Sequence, residues 1–478
     1  MSVLDQNVLI LRYFEKLASI PHGSFHEERI ADYVESVLQS LDLKYVRDEM
    51  NNIVAYKEAS KGYEDHEPLM LEAHMDMVNE KNADSDHDFD HDGLDLYVED
   101  GYLHARGTTL GADDGYGVSY ILSLLTQDDI QHPALEAVFT VQEEVGLCGA
   151  IGIDESLIHA RRMIGLDSES EGEICISSSG GNETIITKEI EFEDNDAPAY
   201  LLEIRGLLGG HSGAAIDKGR ANANKLADRI CYELSREGID IRLVDIQGGL
   251  KNNAIPRECR VVLTSQCDFA TLQEKIAGYE KDIQQEFNQG DPHIEIHISQ
   301  YEDCPQCMSA KDSEALIQMI YIALNGCLEK SQLIPDLTVL SLNMGVIETK
   351  DNKVIIDYCL RSPLYSARMN MVHQLEVVGY MYNAGVEVFN DFPGWDYEVH
   401  SPLREQFKEF YTKRTGRTLR EVATHGGLET GVFKGKIPAL DIITMGPDVA
   451  DIHTPQERMN VQSFIDNYEL LVDFIATL

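Results

Sequence analysis

Apolar positions in the first third of the chain recur at two alternating periods. One is the three-to-four-residue period of an amphipathic helix, and the other is the short apolar run typical of a buried strand. Helices are predicted at 8–19, 26–40 and 115–125, and strands at 53–57, 69–73, 135–142 and 163–166. Strands that alternate with helices predict an α/β fold in which helices flank a central sheet.

The pattern changes near residue 185, where polar and apolar positions begin to alternate singly, as in half-exposed strands. Strands are predicted at 185–192, 199–206, 241–246, 259–267, 293–299, 338–346 and 353–361, and helices at 219–236, 270–287 and 312–326. This mixture is typical of an α+β domain and differs from the α/β pattern before it.

Length and composition indicate a globular protein of two domains. A chain of 478 residues is too long for one ordinary core, and 43% of its residues are hydrophobic. No long apolar run predicts a membrane-spanning helix, and the first residues lack the features of a secretory signal. The nine cysteines are odd in number and widely spread, which favours free thiols in a reducing compartment. We therefore expect a cytoplasmic protein.

The acidic charge of the chain excludes two classes of partner. There are 83 Asp and Glu residues against 39 Lys and Arg residues, which gives a formal net charge of −44. A surface this acidic repels nucleic acid and anionic membranes, so neither is an expected partner.

Three of the predicted strands end in residues of the types that bind metals. His74 and Asp76 follow one strand, Glu143 and Glu144 follow a second, and Asp167 follows a third. Strand ends of an α/β sheet meet at one edge, so these side chains are expected to converge. Neighbouring carboxylates such as Glu143 and Glu144 repel each other unless a cation offsets their charge or one is protonated.

Two further candidates, Asp113 and His453, lie in predicted loops. Asp113 stands between Gly111 and Gly115, which let the backbone turn sharply and bring a carboxylate into a crowded site. Two imidazoles and three carboxylates suit two divalent ions that share one carboxylate, for which Asp113 is the candidate. The predicted metal ligands are His74, Asp113, Glu144, Asp167 and His453. We expect Zn²⁺ first, although a carboxylate-rich site also accepts Mn²⁺ or Co²⁺.

Glu143 lies beside a predicted ligand and is free to move protons. Two ions about 3.5–4 Å apart would hold a water molecule and lower its pKa. Glu143 would accept a proton from this water as it attacks an amide carbonyl, and would return the proton to the leaving amine. Asp76 would sit behind His74 and fix the tautomer of its ring. These residues predict a hydrolase that cleaves amide bonds.

The position of His453 gives the domain organisation. His453 lies beyond the α+β segment, whereas the other predicted ligands precede it. The site is therefore expected in a discontinuous catalytic domain of residues 1–186 and 382–478, with residues 187–381 forming an inserted α+β lid.

With these residues identified, the chain resembles the co-catalytic zinc peptidases. That family includes carnosinase, peptidase T and the aminoacyl-histidine (Xaa-His) dipeptidases, and the resemblance is greatest to the last group. It covers nearly the whole chain and rests on the segments His74-Met-Asp76-Met-Val, His87-Asp-Phe89, Ala105-Arg-Gly-Thr-Thr-Leu-Gly-Ala-Asp113-Asp-Gly, Gly209-Gly-His211-Ser-Gly213 and Gly249-Leu-Lys-Asn252-Asn-Ala-Ile-Pro256.

The resemblance implies functions that the residues alone do not. It implies a dipeptidase for short peptides with a free C-terminus, such as Xaa-His dipeptides, and a homodimer formed through the lid. It further implies that His211 helps polarise the scissile carbonyl, that Asn252 and Arg361 hold the substrate, and that Gly427 lines its pocket. Arg361 would bind the substrate carboxylate, since a guanidinium can donate two parallel hydrogen bonds to it.

Two alternatives stay open at this point. The same two-metal site would also suit deacylation of N-acyl amino acids, which differ from dipeptides in lacking a free amino group. A metal-dependent binding protein without turnover is the alternative from another class, and the presence of Glu143 argues against it.

Overall fold

The computed structural model describes residues 2–478, and the chain divides into two compact units. The first comprises Met1–Ser178, Trp395–Ala423 and Leu428–Leu478, and the second comprises Ser179–Gly394 together with Thr424–Gly427. Each unit is described below by itself.

The N-terminal part of the first unit alternates helices and strands as predicted. Its helices are α1 (Leu9–Ala18), α2 (Glu28–Ser40), α3 (Ala112–Thr126) and α4 (Cys148–Gly152). Its strands are β1 (Lys44–Arg47), β2 (Ile53–Lys57), β3 (Leu69–His74), β4 (Leu96–Glu99), β5 (Tyr102–Ala105), β6 (Leu135–Thr140), β7 (Arg162–Gly165) and β8 (Glu173–Cys175). β3 and β6 are buried along their whole length, which explains why they are almost continuously apolar.

The second unit is an α+β domain. Its strands are β9 (Gly180–Glu189), β10 (Phe192–Asp194), β11 (Ala199–Arg205), β12 (Gly210–His211), β13 (Arg242–Gly248), β14 (Ala254–Ile255), β15 (Cys259–Thr264), β16 (Glu295–Gln300), β17 (Gln306–Met308), β18 (Gly326–Lys330), β19 (Thr338–Lys350), β20 (Lys353–Ser362) and β21 (Gly385–Phe392). Its helices are α5 (Ala223–Arg236), α6 (Phe269–Glu286), α7 (Ala310–Ile322) and α8 (Tyr365–Met381).

A nine-stranded sheet forms the body of the second unit. Its order is β16-β11-β15-β13-β19-β20-β9-β21, with β18 paired to β19. Apolar side chains from α5 to α8 pack with the buried face of this sheet into one core. β21 pairs only with β9, so it is an edge strand of the sheet within the described residues.

The C-terminal part of the chain completes the first unit. Its helices are α9 (Pro402–Thr415), α10 (Glu429–Lys436) and α11 (Val461–Ile475), and its strands are β22 (Arg420–Val422), β23 (Asp441–Thr444), β24 (Val449–Ala450) and β25 (Arg458–Asn460). The main sheet has the order β1-β2-β6-β3-β7-β23. β6, β3, β7 and β23 run parallel to one another, so their carboxyl ends meet at one edge, whereas β2 runs antiparallel to β6.

The predicted fold class, an α/β sheet domain with an α+β insertion, is confirmed. The units change over at Ser178/Ser179 and at Gly394/Trp395, whereas the sequence placed the boundaries at 186/187 and 381/382. β9 starts with two glycines, which look like a turn in the sequence, yet all of β9 pairs with β20. α8 and β21 were not predicted, and the helix predicted at 312–326 ends at Ile322, before β18.

No helix within residues 2–478 combines the length and the apolar character that crossing a membrane requires.

Candidate active site

Parallel strands of the first unit bring the predicted metal ligands to one edge of its sheet. His74 is the last residue of β3 and is opposite Thr140, the last residue of β6. Glu143 and Glu144 follow β6 closely, and Asp167 follows β7. Because parallel neighbours end at the same edge, the convergence expected from the sequence has a direct cause in the sheet topology.

Asp113 lies between the two predicted histidine ligands. Its Oδ1 is 3.0 Å from Nε2 of His74, and its Oδ2 is 3.2 Å from Nε2 of His453. The same nitrogen of His453 is 3.0 Å from Oε1 of Glu144. Ligand atoms of His74, Asp113 and Glu144 all lie within 4.8 Å of one another. Asp113 therefore presents one oxygen to each imidazole, which suits a carboxylate shared between two ions.

The electrostatics of this cluster favour bound cations. Burial acts to raise the pKa of Asp113, but hydrogen bonds from His453 and His74 outweigh it and lower that pKa below its ordinary range. Hydrogen bonds to Asp113 and Glu144 raise the pKa of His453 to about 11. A set of imidazole and carboxylate donors packed this closely, with ligand atoms of His74, Asp113 and Glu144 within 4.8 Å of one another, fits Zn²⁺ or a similar divalent ion.

Asp167 and Glu143 are partly buried acids near the same cluster. Burial raises the pKa of Asp167 to about 8, and the negative charge of Asp113 adds to this effect. Burial also raises the pKa of Glu143, with the charges of Asp167 and Glu144 acting in the same direction. A carboxyl group whose pKa is raised toward neutrality is suited to accepting and returning a proton.

Asp76 holds the glutamate loop as well as the histidine. Nδ1 of His74 is 2.9 Å from the backbone carbonyl of Asp76, whereas Oδ1 of Asp76 is 3.6 Å away. The Asp76 carboxylate accepts the backbone N–H groups of Glu143 at 2.9 Å and Glu144 at 3.3 Å, and the hydroxyl of Ser24 at 2.7 Å. The carboxylate contact expected for His74 is thus secondary, because the carbonyl orients the ring while the carboxylate positions both glutamates.

A buried acid that the sequence analysis did not single out holds the Asp113 loop. Glu457 is 2% exposed, and its carboxylate accepts the four consecutive backbone N–H groups of residues 110–113. The four distances are 2.7, 3.1, 2.8 and 3.4 Å in chain order. Gly111, in this loop, has a φ of 64°, and a Cβ there would lie 2.9 Å from Sδ of Met77. The only sequence signal for Glu457 is its place four residues after His453.

Glu72 and Glu429 form a second group of buried acids that the sequence did not reveal. The hydroxyl of Thr140 donates to Oε2 of Glu429 at 2.5 Å. Burial raises the pKa of Glu72 to about 7, and burial also raises the pKa of Glu429, with the charge of Glu72 adding to it. Two interacting buried carboxyl groups avoid carrying two charges, so this pair retains a proton.

The second unit brings two of its predicted substrate residues together. Nη2 of Arg361 lies 3.5 Å from Nε2 of His211, and Nε of Arg361 donates to the hydroxyl of Ser212 at 3.2 Å. Arg361 is only 7% exposed, yet no acidic side chain within residues 2–478 forms an ion pair with it. A buried guanidinium without a counter-charge is costly, which favours an anionic ligand at this position.

Asn252 is positioned by glycines in the same unit. Its side-chain amide donates to Oδ1 of Asp357 at 3.2 Å, and its backbone carbonyl accepts from Asn343 at 2.7 Å. A Cβ on Gly345 would lie 2.4 Å from Cα of Asn252, and a Cβ on Gly249 would lie 1.8 Å from the Gly345 carbonyl oxygen. Both positions therefore require glycine for the Asn252 loop to approach β19.

Gly427 belongs to the short segment Thr424–Gly427 that groups with the second unit. His211, Arg361, Asn252 and Gly427 are thus all found in one unit, and the five predicted metal ligands with Glu143 are all found in the other.

Comparison with known proteins identifies relatives along nearly the whole chain. Residues 70–477 match Peptidase family M20/M25/M40. The cytosol non-specific dipeptidase of Escherichia coli strain K12 is 33% identical over 470 residues, which cover 97% of this chain and 96% of that protein.

Solved structures agree with this relationship. The aminoacylhistidine dipeptidase of Vibrio alginolyticus aligns with a TM-score of 0.89 and 32% identity, covering 98% of this chain and 96% of that one. The aminopeptidase PepT of Bacillus cereus aligns with a TM-score of 0.56 over 99% of both chains, but at 16% identity it is informative only about the fold.

Proposed function

The chain belongs to Peptidase family M20/M25/M40, as its sequence predicts, and we propose that it is a cytoplasmic metallodipeptidase acting on dipeptides with a free C-terminus. Xaa-His dipeptides are among the proposed substrates. Two relatives support dipeptides as the substrate class, since one is a cytosol non-specific dipeptidase and the other is an aminoacylhistidine dipeptidase.

The observation that carries the proposal is the place of Asp113 between His74 and His453. Its two oxygens face one imidazole each, at 3.0 and 3.2 Å. We propose that two divalent ions, Zn²⁺ in the first instance, are held by His74, Asp113, Glu144, Asp167 and His453. Bound there, they supply Lewis acidity toward the scissile carbonyl and its attacking water.

Glu143 is the proposed general base. It takes a proton from the water that attacks the scissile carbonyl and then returns this proton to the leaving amine. Its backbone N–H is held by Asp76 at 2.9 Å, which fixes the start of the side chain while leaving the carboxyl group free to exchange protons. Burial raises its pKa, which makes the carboxyl group a better proton acceptor than an exposed glutamate.

The second unit is the proposed substrate-binding lid. We assign Arg361 to the C-terminal carboxylate of the substrate, because its buried guanidinium has no acidic partner among residues 2–478. His211 lies 3.5 Å from it and would assist by polarising the substrate carbonyl. Asn252 and Gly427 would complete the binding surface. Recognition of a free carboxylate would restrict the enzyme to short peptides.

A homodimer through the second unit is also proposed. β21 is an edge strand, and its Val388 and Phe389 are 37% and 43% exposed. On α8, the exposed fractions of Val377, Tyr380 and Met381 are 59%, 88% and 62%. A sheet edge that carries apolar side chains beside an apolar helix face is suited to pairing with a second copy of itself.

The test combines one substitution with a substrate panel. Glu143→Gln should lower kcat by about 10²- to 10⁴-fold while metal content stays near two ions per chain, because it removes only the base. Glu58→Gln, an exposed acid of the same unit, is the matched control and should keep wild-type rates. Wild-type rates for Glu143→Gln would refute the assigned base.

The panel decides the substrate class. Dipeptides should be cleaved and their N-acetylated forms should not, because a dipeptidase requires the free amino group. Preference for N-acyl amino acids would establish a deacylase instead. Absence of turnover across the panel, with metals loaded, would indicate a binding protein.

A further inference from the structure

His425 is a buried histidine of the second unit with one nitrogen unused. Its ring is 5% exposed, and Nε2 lies 2.7 Å from the hydroxyl of Ser341. Nδ1 is buried as well, but it has no hydrogen-bond partner within residues 2–478. A buried nitrogen left without a partner is costly, so it calls for a ligand atom.

The strand register brings this histidine next to the Arg361 cluster. Ser341 on β19 is paired directly with Arg361 on β20. Side chains opposite each other in an antiparallel pair have Cβ atoms about 5 Å apart. His425, held by Ser341, therefore borders the guanidinium. Gly213 supports this arrangement, because a Cβ there would lie 3.0 Å from the His425 carbonyl oxygen and 3.1 Å from Cε1 of His211.

Burial and the neighbouring charges determine the protonation state of His425. Burial lowers its pKa to about 4, and the positive charge of Arg361 acts in the same direction. Asp217 and a backbone contact with Thr338 oppose this shift, but they are outweighed, and the carboxylate of Asp217 is already paired with Nζ of Lys330 at 3.1 Å. His425 is therefore neutral at physiological pH, and only one of its two nitrogens carries a hydrogen.

We propose that His425 is a substrate-binding residue whose Nδ1–H donates a hydrogen bond to the C-terminal carboxylate bound by Arg361. In this proposed form the ring carries its hydrogen on Nδ1, and Nε2 accepts from the Ser341 hydroxyl at 2.7 Å. Ser341 is thus a positioning residue that holds the ring. This inference rests on the proposed dipeptidase function, and it adds a second donor to carboxylate recognition.

Two substitutions of His425 separate the roles of its nitrogens. The amide nitrogen of Asn occupies nearly the position of Nδ1, whereas that of Gln occupies nearly the position of Nε2. His425→Asn should therefore keep the bond to the substrate, and His425→Gln should keep only the bond to Ser341. The measurement is kcat/KM for a dipeptide divided by kcat/KM for the same dipeptide as its C-terminal amide.

His425→Gln should lower this ratio by about 10- to 100-fold, mainly through KM of the free acid, because a hydrogen bond to a charged group is lost. His425→Asn should stay within about threefold of the wild type. Ser341→Ala keeps the imidazole but removes the contact that holds its ring, so it should lower the ratio by about 3- to 10-fold. Where the amide is cleaved too slowly, inhibition constants of L-histidine and histidinamide give the same comparison.

The outcomes distinguish this inference from the proposed function. If the wild type cleaves no dipeptide, the proposed function fails. If it does, and the ratio is unchanged in His425→Gln and in Ser341→Ala, the inference is overturned. An equal loss on acid and amide in all three variants would also overturn it, because it would show a purely structural role.

Discussion

The buried carboxylate of Glu457 allows a quantitative test of how the metal centre is held together. It accepts four backbone N–H groups from residues 110–113, the loop that ends in Asp113. Replacing it by Gln exchanges one acceptor oxygen for an NH₂ group and removes the negative charge. Two N–H groups then face a donor, and the other two face a neutral acceptor.

The expected cost follows from these contacts. Burial raises the pKa of Glu457 to about 7, so the carboxylate is ionised at pH 8 and the comparison is made there. Hydrogen bonds to a charged acceptor contribute about 1.5–3 kcal/mol each, and two of the four, at 2.7 and 2.8 Å, are short. Relief from burying a charge offsets part of the loss. We expect Glu457→Gln to lower the free energy of unfolding by about 2–4 kcal/mol. The Asp113 oxygens should also lose their alignment between His74 and His453, so metal should be held less tightly.

The assay pairs denaturant unfolding with elemental analysis after dialysis. The variant should unfold at lower urea and retain fewer than two ions per chain, while Glu58→Gln, an exposed acid with no such contacts, should match the wild type in both. If Glu457→Gln kept full stability and full metal content, the positioning role assigned to Glu457 would be wrong.

Three other predictions address separate parts of the chain. Burial raises the pKa of Asp357 to about 7, so ionisation of this group destabilises the folded protein. Asp357→Asn should therefore raise the free energy of unfolding by about 1–2 kcal/mol at pH 8 and by less at pH 5. A difference that did not depend on pH would contradict this prediction. Val388→Lys should produce monomers in light scattering, whereas Val399→Lys, an equally drastic change on an exposed residue of the first unit, should leave dimers. Removal of metal by a chelator should lower the Tm, and added Zn²⁺ should restore it, because the acids around Asp113 lose their counter-charge when the metal leaves. An unchanged Tm would refute this coupling of metal binding to stability.

The convergence of acids and histidines at the candidate metal site was largely predictable because strand ends are visible in the sequence. The runs before His74, Glu143 and Asp167 are apolar and short, and each ends in a polar residue. That pattern indicates a buried strand whose last residue lies at the edge of the sheet. Asp113 was marked by its flanking glycines, one of which, Gly111, has a positive φ in the turn.

What the sequence did not reveal depends on contacts between distant residues. Glu457 meets its partners about 345 positions earlier in the chain, and no local period signals such a contact. β21 was missed because its residues are mostly exposed on both faces, so no alternation of polar and apolar positions marks it. His425 lies in a glycine-containing turn, and its partner Ser341 is set by the register of β19 against β20.

The two units leave opposite charges unsatisfied, and this asymmetry indicates what each binds. In the first unit, buried acids gather around His74 and Asp113, and they require cations. In the second, Arg361 is buried among neutral groups in a chain with 83 acidic residues against 39 basic ones. With acids so abundant, an unpaired buried arginine is unexpected unless an anion from outside takes the place of an acid. A peptide carboxylate would meet that need in the second unit, and metal ions would meet the need of the first, so the charges left open within each unit favour the proposed ligands.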